Sequence, residues 1–410
     1  MPEPLPRKRW LAIVGLGEDG VAGLGEEAKR LIAQAEIVFG GRRHLALAAP
    51  LIAGDARPWP SPFDAAVAAV RAEAGRPVCV LASGDPFFHG VGATLARTVA
   101  AGEMQVVPAP SSFSLAAAHL GWALQDTDLV SLHGKPLTLL RRHLQPGRRL
   151  LCLTSDGAAP AAIAAFLAAR GLGPSRLAVL EALGGPAERV RAARADAFDL
   201  QNINPLNVLA IEVESTREAR ILPLTPGLPD DAFEHDGQIS KREIRALTLS
   251  ALAPRRGGLL WDIGAGAGSV AIEWMLADPS LRAVAVEADA ARAARIRRNA
   301  EALGAPALAV VEGRAPAALA GLGRPDAIFI GGGASDPGVL DAAAAALPGG
   351  GRLVVNAVTL ETEALLIARH AAAGGTLTRF SIERAGPVGA MTAWRPALPV
   401  VQWTWVKDHG

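Results

Sequence analysis

Leu259–Ser269 reads Leu-Leu-Trp-Asp-Ile-Gly-Ala-Gly-Ala-Gly-Ser, and few chain paths accommodate it. Leu259–Ile263 is an apolar run of strand length, Gly264, Gly266 and Gly268 form a turn without side chains, and Val270–Leu276 starts a helix. The first N–H groups of that helix point back at the turn, where glycine lets a ligand lie directly against the backbone. The spacing is G-x-G-x-G, not the G-x-G-x-x-G of a pyrophosphate site, which favours a nucleoside-type cofactor. Glycine-rich strand-to-helix turns also occur without any ligand.

A regular alternation follows. Arg282–Val286 reads as a strand ending at Glu287, and Asp289–Leu303 as a helix with Asp289 as cap and Gly304 beyond its end. Ala307–Val311, Asp326–Ile330 and Arg352–Asn356 read as strands, the second running into Gly331-Gly-Gly333, with a helix near Glu361–His370. Arg379–Glu383 and Val400–Val406 close the chain as strands separated by a long loop. Strands alternating with helices predict an α/β fold with a doubly wound, mostly parallel sheet and an antiparallel edge. Glu287 lies about 20 residues after the glycines, where an acid can accept both ribose hydroxyls of a nicotinamide or S-adenosylmethionine cofactor. Asp262, two residues before Gly264, favours the second, since an acid there is typical of class I methyltransferases. It can equally serve as a buried acid bonding the turn's N–H groups. Upstream, Ser240 followed by Glu243 predicts a capping box at a helix start.

The first half carries weaker signals whose order matters. Strand Trp10–Leu16 contains Gly15 and runs into Gly17, Pro77–Leu81 opens onto Ser83-Gly84-Asp85-Pro86-Phe87-Phe88, and Met104–Val107 leads to Pro108-Ala109-Pro110-Ser111-Ser112. Polar turns at strand carboxyl ends are where an open α/β sheet places ligands. Ser111 or Ser112 can also simply cap the next helix. Glu214–Thr225 and the prolines at 223, 226 and 229 predict a connector between domains.

Val14-Gly-Leu-Gly17, Ser83-Gly-Asp-Pro86, Pro108-x-x-Ser-Ser112 and Leu132-His-Gly134, in that order, resemble the tetrapyrrole methylase family. Val179-Leu-Glu181 through Glu188-Arg189 and Asn204–Glu212 look like its second lobe, so the resemblance covers about residues 8–214. It implies two α/β lobes with S-adenosylmethionine between them, touching Gly15, Gly84, Asp85, Phe88, Ser111 and Ser112. Ala109 departs from the glycine usual in the family. Arg42, Arg43, His44, His133 and Lys135 read either as solvated surface charge and loop caps or as a clamp for a substrate with many carboxylates. Gly-Gly-x-Arg-His is typical of the family's precorrin-6 branch, which favours the clamp for Arg42 and His44, with His133 a further candidate.

Asp236–Arg245, Trp261–Glu273, Ile330–Gly333 and Leu353–Thr362 are similar to the decarboxylating precorrin methyltransferases. The fused pair resembles the precorrin-6Y C5,15-methyltransferase (decarboxylating) family of cobalamin biosynthesis. That resemblance implies methylation of precorrin-6Y at C5 and C15, with loss of carbon dioxide from the ring C acetate, giving precorrin-8X. It divides the chain into a tetrapyrrole methylase domain (1–216, C5), a linker (217–229) and a class I methyltransferase domain (230–410, C15 and decarboxylation). One S-adenosylmethionine per domain is implied, contacted in the second by Ser240, Gly264, Ala265, Gly266, Ala267, Gly268, Glu287 and Ala315. Arg314 stands where class I enzymes often carry an acid toward the adenine. Lys241, Arg242, Arg384 and Arg395 are candidate carboxylate clamps, and His235 and Asp236 the candidates for protonating the product. No metal set is visible, and relatives imply a homo-oligomer.

Bulk properties exclude other classes. Lys+Arg number 41 against 40 Asp+Glu, and from Pro226 onward 18 against 19, which disfavours a nucleic-acid partner held through phosphates. No run approaches about 18 uninterrupted apolar residues, so no membrane span is expected. Arg7-Lys8-Arg9 before Leu11–Leu16 is too short a pattern for a signal peptide. Cys79 and Cys152 sit in apolar runs as buried thiols of a cytoplasmic protein. An RNA or DNA amino-methyltransferase would carry an Asn/Asp-Pro-Pro-aromatic turn where Gly331-Gly-Gly333 stands. A nicotinamide oxidoreductase would want G-x-G-x-x-G, and a regulator a further interaction domain.

Overall fold

A computed structural model describes residues 9–61 and 63–409, so Arg7 and Lys8 of the basic stretch lie outside the described residues. Two compact units emerge, Met1–Leu137 with His143–Arg220, and Thr138–Arg142 with Ile221–Gly410.

The first unit holds two sheets. Strands β1 (Leu11–Leu16), β2 (Ile37–Gly40), β3 (Asp55–Pro58), β4 (Val78–Ser83) and β5 (Met104–Val107) form one, in the order β3-β2-β4-β1-β5. All its pairs are parallel, and β1, an interior strand, is buried at every residue, which is why it reads as an unbroken apolar run. Leu16 of β1 lies opposite Ser83 of β4, so the turns at Gly17 and Gly84 leave the sheet side by side. The other sheet comprises β6 (Thr127–Ser131), β7 (Arg149–Leu153), β8 (Arg176–Glu181), β9 (Arg189–Arg194) and β10 (Asn207–Glu212), ordered β6-β7-β10-β8-β9 and antiparallel except at β6/β7. Cys79 in β4 and Cys152 in β7 are free and buried, each thiol pushed up to about 12 by burial.

In the second unit, β11 (Leu259–Ile263), β12 (Arg282–Glu287), β13 (Ala309–Glu312), β14 (Ala327–Ile330), β15 (Arg352–Ala357) and β16 (Thr376–Phe380) precede a hairpin, β17 (Glu383–Val388) and β18 (Met391–Pro396), and a last strand, β19 (Val400–Val406). The seven-stranded order is β13-β12-β11-β14-β15-β19-β16, with β19 antiparallel to both neighbours. Strand order reverses beside β11, the place where a doubly wound sheet opens a crevice. Each sheet face is closed by helices. Val270, Ile272 and Trp274 of Ser269–Ala277 pack with Leu260 and Phe329 on one side, and Val339, Leu340 and Leu366 with Trp261 and Ile328 on the other.

Three expectations are corrected. The strand expected at Arg379–Glu383 ends at Phe380, and residues 384–399 are not one long loop, because Gly389, with φ +58°, opens a two-residue turn joining β17 to β18. Residues 217–229 are not wholly a free connector, since Leu222 and Leu228 are buried in the second unit's core. The helix after Ser240 starts at Arg242 with Lys241 as cap, and no side-chain cap bond forms. Glu243 pairs with Arg384 instead of reaching back, and the Ser240 carbonyl accepts from Arg245.

Candidate functional site

At the carboxyl end of β11 the glycine turn borders a cavity of about 850 Å³ in the second unit. Gly264, Ala265 and Gly266 line it, as do Ser240, Lys241, Glu287, Arg292, Arg314 and Ala315. The turn is pinned by its own backbone, with the Gly264 and Ala265 N–H groups donating to the Val286 carbonyl at 3.0 and 3.2 Å. A side chain at Gly264 would lie 2.6 Å from the Gly332 carbonyl, so the loops after β11 and β14 meet backbone to backbone. At Gly266, φ +59°, a Cβ would lie 3.1 Å from the Gln238 carbonyl, which forms the roof over the turn.

Glu287 is fixed at both oxygens. Oε2 accepts from the Gly266 N–H at 2.8 Å and Oε1 from the Asp289 N–H at 3.0 Å. Each oxygen keeps a further lone pair for a hydroxyl donor. Asp262 is fully buried; its Oδ2 accepts from the Ala271 N–H at 3.0 Å, while Oδ1 has no partner. Burial pushes its carboxyl up to about 7, opposed by the Ala271 bond and reinforced by the charge of Glu287.

Ala267 and Gly268 do not line the cavity. Ala267 is buried with its carbonyl accepting from Asn299 at 2.9 Å, and a Cβ on Gly268 would strike Ile296 at 2.7 Å. Both hold the turn from behind, a correction to their expected direct contact.

The roof over the turn is tied down by one buried side chain. Arg245, fully buried, donates to Glu273, Asp230 and the carbonyls of Leu228 and Ser240. Glu273 in turn accepts from the Gly227 and Leu228 N–H groups at 2.6 and 2.9 Å. Residues 227–240 are thereby anchored to helix Ser269–Ala277.

Of the expected carboxylate clamps, Lys241 and Arg384 line the cavity, whereas Arg242 and Arg395 do not. Arg242 is exposed at the first turn of helix Arg242–Leu252, and Arg395 donates to the Pro387 carbonyl within the hairpin. Arg384 is paired with Glu243, Arg292 with Asp236 and Arg314 with Asp336. Arg292 and Arg295 together hold the Asp236 carboxyl far below the ordinary range, so it stays ionised and cannot serve as the expected proton donor. His235 is exposed, its Nδ1 accepting from the Gly237 N–H at 3.1 Å.

In the first unit a cavity of about 240 Å³ is lined by His44, Ser83, Phe88, His89, Ser111 and Ser112, among others. Gly15, Gly84 and Asp85 lie outside this lining. A Cβ on Gly15 would sit 2.0 Å from the Gly84 carbonyl and 2.5 Å from the Ala109 nitrogen, so the end of β1 and the segments after β4 and β5 are packed backbone on backbone there. Ala109 closes that contact by donating to the Gly84 carbonyl at 3.2 Å. Asp85 Oδ1 accepts from the Phe87 N–H at 2.8 Å, and Phe88 stands edge-on to Phe113. Ser111 caps helix Ser112–Leu120 through the Ser114 N–H at 3.1 Å.

The expected clamp of Arg42 and His44 is corrected. Burial, and then the charge of Arg43, hold His44 down at about 4, so it is neutral near pH 7 and offers no charge. Its Nε2 is shared with the Ser83 hydroxyl at 2.8 Å. Arg42 is exposed, and Arg43 turns to Ser83 and Glu18. His133 bonds the Thr154 carbonyl through Nδ1 at 3.3 Å and does not line the cavity.

Sequence reasoning missed Gln238, Asn356, Phe380 and Leu398 of the second unit's cavity. Asn356 sat within a quoted motif, but its partners Thr248 and Gln402 are far away in sequence. Among the described residues no helix is long and apolar enough to cross a membrane, and no group of three or more His, Cys, Asp or Glu could hold a metal ion.

Residues 11–199 match the tetrapyrrole (corrin/porphyrin) methylase family, and residues 231–407 match the precorrin methyltransferase domain family. The chain is 62% identical over 405 residues to a Sinorhizobium precorrin-6Y C(5,15)-methyltransferase (decarboxylating), covering 99% of this chain and 98% of that protein. A protein of the same description from Mycobacterium tuberculosis is 43% identical, covering 97% of this chain and all of that one. A crystal structure of the C-terminal domain of precorrin-6Y C5,15-methyltransferase from Rhodobacter capsulatus is 49% identical, covers 45% of this chain and 100% of that chain, and has a TM-score of 0.43.

Proposed function

The chain belongs to the precorrin-6Y C5,15-methyltransferase (decarboxylating) family, and from that membership we propose that it methylates precorrin-6Y at C5 and C15 and removes the ring C acetate carboxyl as carbon dioxide, giving precorrin-8X. The first unit would serve C5, and the second C15 with decarboxylation. Each would use one S-adenosylmethionine, which supplies an activated methyl group.

The observation that carries the cofactor reading is Glu287, buried and aimed by the Gly266 and Asp289 N–H groups, beside a turn where Gly266 leaves backbone open to the cavity. A ribose diol fits two carboxylate oxygens with lone pairs to spare. Gly264 to Gly266, Ser240 and Ala315 would complete the contact, with Ala267 and Gly268 supporting the turn. In the first unit Phe88, Ser111 and Ser112 would face the cofactor from the cavity wall, and Gly15, Gly84 and Asp85 would shape the turn behind them.

The bridging carbons of a reduced tetrapyrrole are enamine-like, so the chain's chief task is alignment at near-attack distance. This suits cavities without a nucleophile–base pair aimed at a reacting atom. Lys241 and Arg384 at the rim would hold peripheral carboxylates of the substrate, Arg384 by exchanging its Glu243 partner. A homo-oligomer is supported by Met391, Trp394 and Leu398 in and after the β17/β18 hairpin, which are 77%, 70% and 74% exposed. We place the enzyme in the cytoplasm.

Incubation with labelled S-adenosylmethionine and precorrin-6Y, followed by mass spectrometry, tests the reading. A product two methyls heavier and one carbon dioxide lighter supports it; transfer to RNA, or no transfer, ends it.

A further inference from the structure

Asn356 stands at the carboxyl end of β15, past the point where β14 gives way to Gly331-Gly-Gly333, and it lines the second unit's cavity. Its amide is held at both atoms. Nδ2 donates to the Thr248 hydroxyl at 2.9 Å, and Oδ1 accepts from the Gln402 amide at 2.9 Å. Gln402 lies directly opposite in β19, and a second donation from Gln402 to Thr248 at 3.3 Å closes the triangle. Thr248 is fully buried and Gln402 nearly so, so the three groups form a satisfied polar network behind the cavity wall. One N–H of Asn356 is left over from that network.

Around it the wall is apolar. Among the described residues of β14, β15, β16 and β19 that line the cavity, Phe329, Phe380 and Val400 accompany Asn356, the one polar side chain. The lining cations lie on other segments, Lys241 before its helix, Arg292 after β12, Arg314 after β13 and Arg384 in β17.

The geometry points to Asn356 as the residue that receives the departing ring C acetate carboxylate and so couples carbon dioxide loss to methylation in the second unit. This rests on the functional reading above. In the step concerned, the bond between the acetate methylene and its carboxyl carbon breaks, the electron pair enters the conjugated macrocycle, and carbon dioxide leaves. One proton from solvent then converts the methylene to methyl, and no oxidant or reductant is consumed. A cation on that carboxylate would stabilise the charge that has to disappear, opposing the reaction. A neutral, rigidly aimed N–H in an apolar wall orients the carboxylate while stabilising it less than an arginine would.

The test measures, for the full-length protein and its variants, methyl groups transferred and acetate carboxyl lost, by mass spectrometry of the product from precorrin-6Y. Asn356→Asp keeps the shape but its charge keeps the substrate carboxylate from seating at this position, and Asn356→Ala removes the donor that orients it. We expect carbon dioxide loss per methyl transferred to fall roughly 30-fold in the first and 10-fold in the second, from loss of one or two kcal/mol-scale contacts. Cofactor affinity by calorimetry and C5 methylation should stay within about twofold, as changes of a few tenths of a kcal/mol would give. A wild-type ratio of carbon dioxide to methyl in folded Asn356→Asp overturns the inference. Should that variant not fold, Thr248→Val, which frees the amide to rotate behind the wall, carries the test, and an unchanged ratio there overturns it equally. Wild-type protein that releases no carbon dioxide fails the functional reading itself, a separate outcome from a variant that still couples.

Discussion

Two glycines that look alike in sequence, Gly15 near the end of an apolar strand in the first unit and Gly266 after another in the second, are glycine for different reasons. The space beside Gly15 is filled by the Gly84 carbonyl and the Ala109 nitrogen. The space beside Gly266 is bounded by one carbonyl, that of Gln238, and then by a cavity. Missing side chains mark the close approach of chain to chain in one unit and leave room for a ligand in the other. A glycine motif therefore locates a tight place before it locates a site.

The sharpest way to break this contrast is to disable one unit at a time. Glu287→Ala removes the carboxylate aimed over the second unit's turn and should cost that unit roughly 100-fold or more in methyl transfer, leaving the C5 methyl in place. Asp85→Ala should do the converse, and mass spectrometry reads both. Loss of both methyls from either variant refutes two independent sites.

Next in size comes the glycine pair itself. Gly15→Ala forces a Cβ into two backbone atoms and should cost about 3 kcal/mol or more of stability, seen as a lowered unfolding midpoint. Gly266→Ala places an L-residue at φ +59° and should cost only about 1–2 kcal/mol, with the larger effect on cofactor KM. Equal unfolding midpoints for the two variants would erase the distinction.

The units should also respond to pH with opposite sign. Asp262 is raised to about 7 when folded, against an ordinary 3.8. Between those values the unfolded chain has lost a proton that the folded one keeps, so the second unit loses stability as pH rises. His44 is lowered to about 4 from 6.5, so between those values the unfolded chain holds the extra proton and the first unit loses stability as pH falls. Hydrogen exchange resolved to peptides of β1 and β11 should show opposite slopes, flattened by Asp262→Asn in the second unit alone. The smallest effect is Ser111→Ala, which removes a helix cap and should cost about 1 kcal/mol.

Much of the fold was legible because its signals are local. The strand at Leu259–Ile263, the cap at Asp289 and Gly304 at that helix's end all appear as read, since each depends on residues within one turn of chain. Glu287 is aimed at the turn because the end of one strand is a fixed distance from the end of its neighbour. What escaped depends on distant partners. Ser240 is not a cap because the helix starts at Arg242 with Lys241 in the cap position, and Glu243 is diverted to Arg384, 141 residues away. Arg43 reaches Ser83, 40 residues on, while its neighbour Arg42 faces solvent; in Gly-Gly-x-Arg-His, residues 40–44, the arginine is Arg43 and Arg42 is the x. The β17/β18 hairpin is almost wholly exposed, so it lacks the apolar alternation that announces a strand.

Arg245 makes two segments of the second unit depend on one charge. Its guanidinium is buried, and a buried charge without its counter-charge is strongly unfavourable. Asp230 supplies one counter-charge from within residues 227–240, and Glu273 a second, 28 residues on from Arg245, on the helix that follows the glycine turn. Residues 227–240 and that helix are therefore tied to one guanidinium, and freeing the helix strips it of one of its two counter-charges. Roof and turn form one cooperative piece, so the amides of Gly227 and Leu228 should exchange with solvent at the same rate as the helix that carries Glu273.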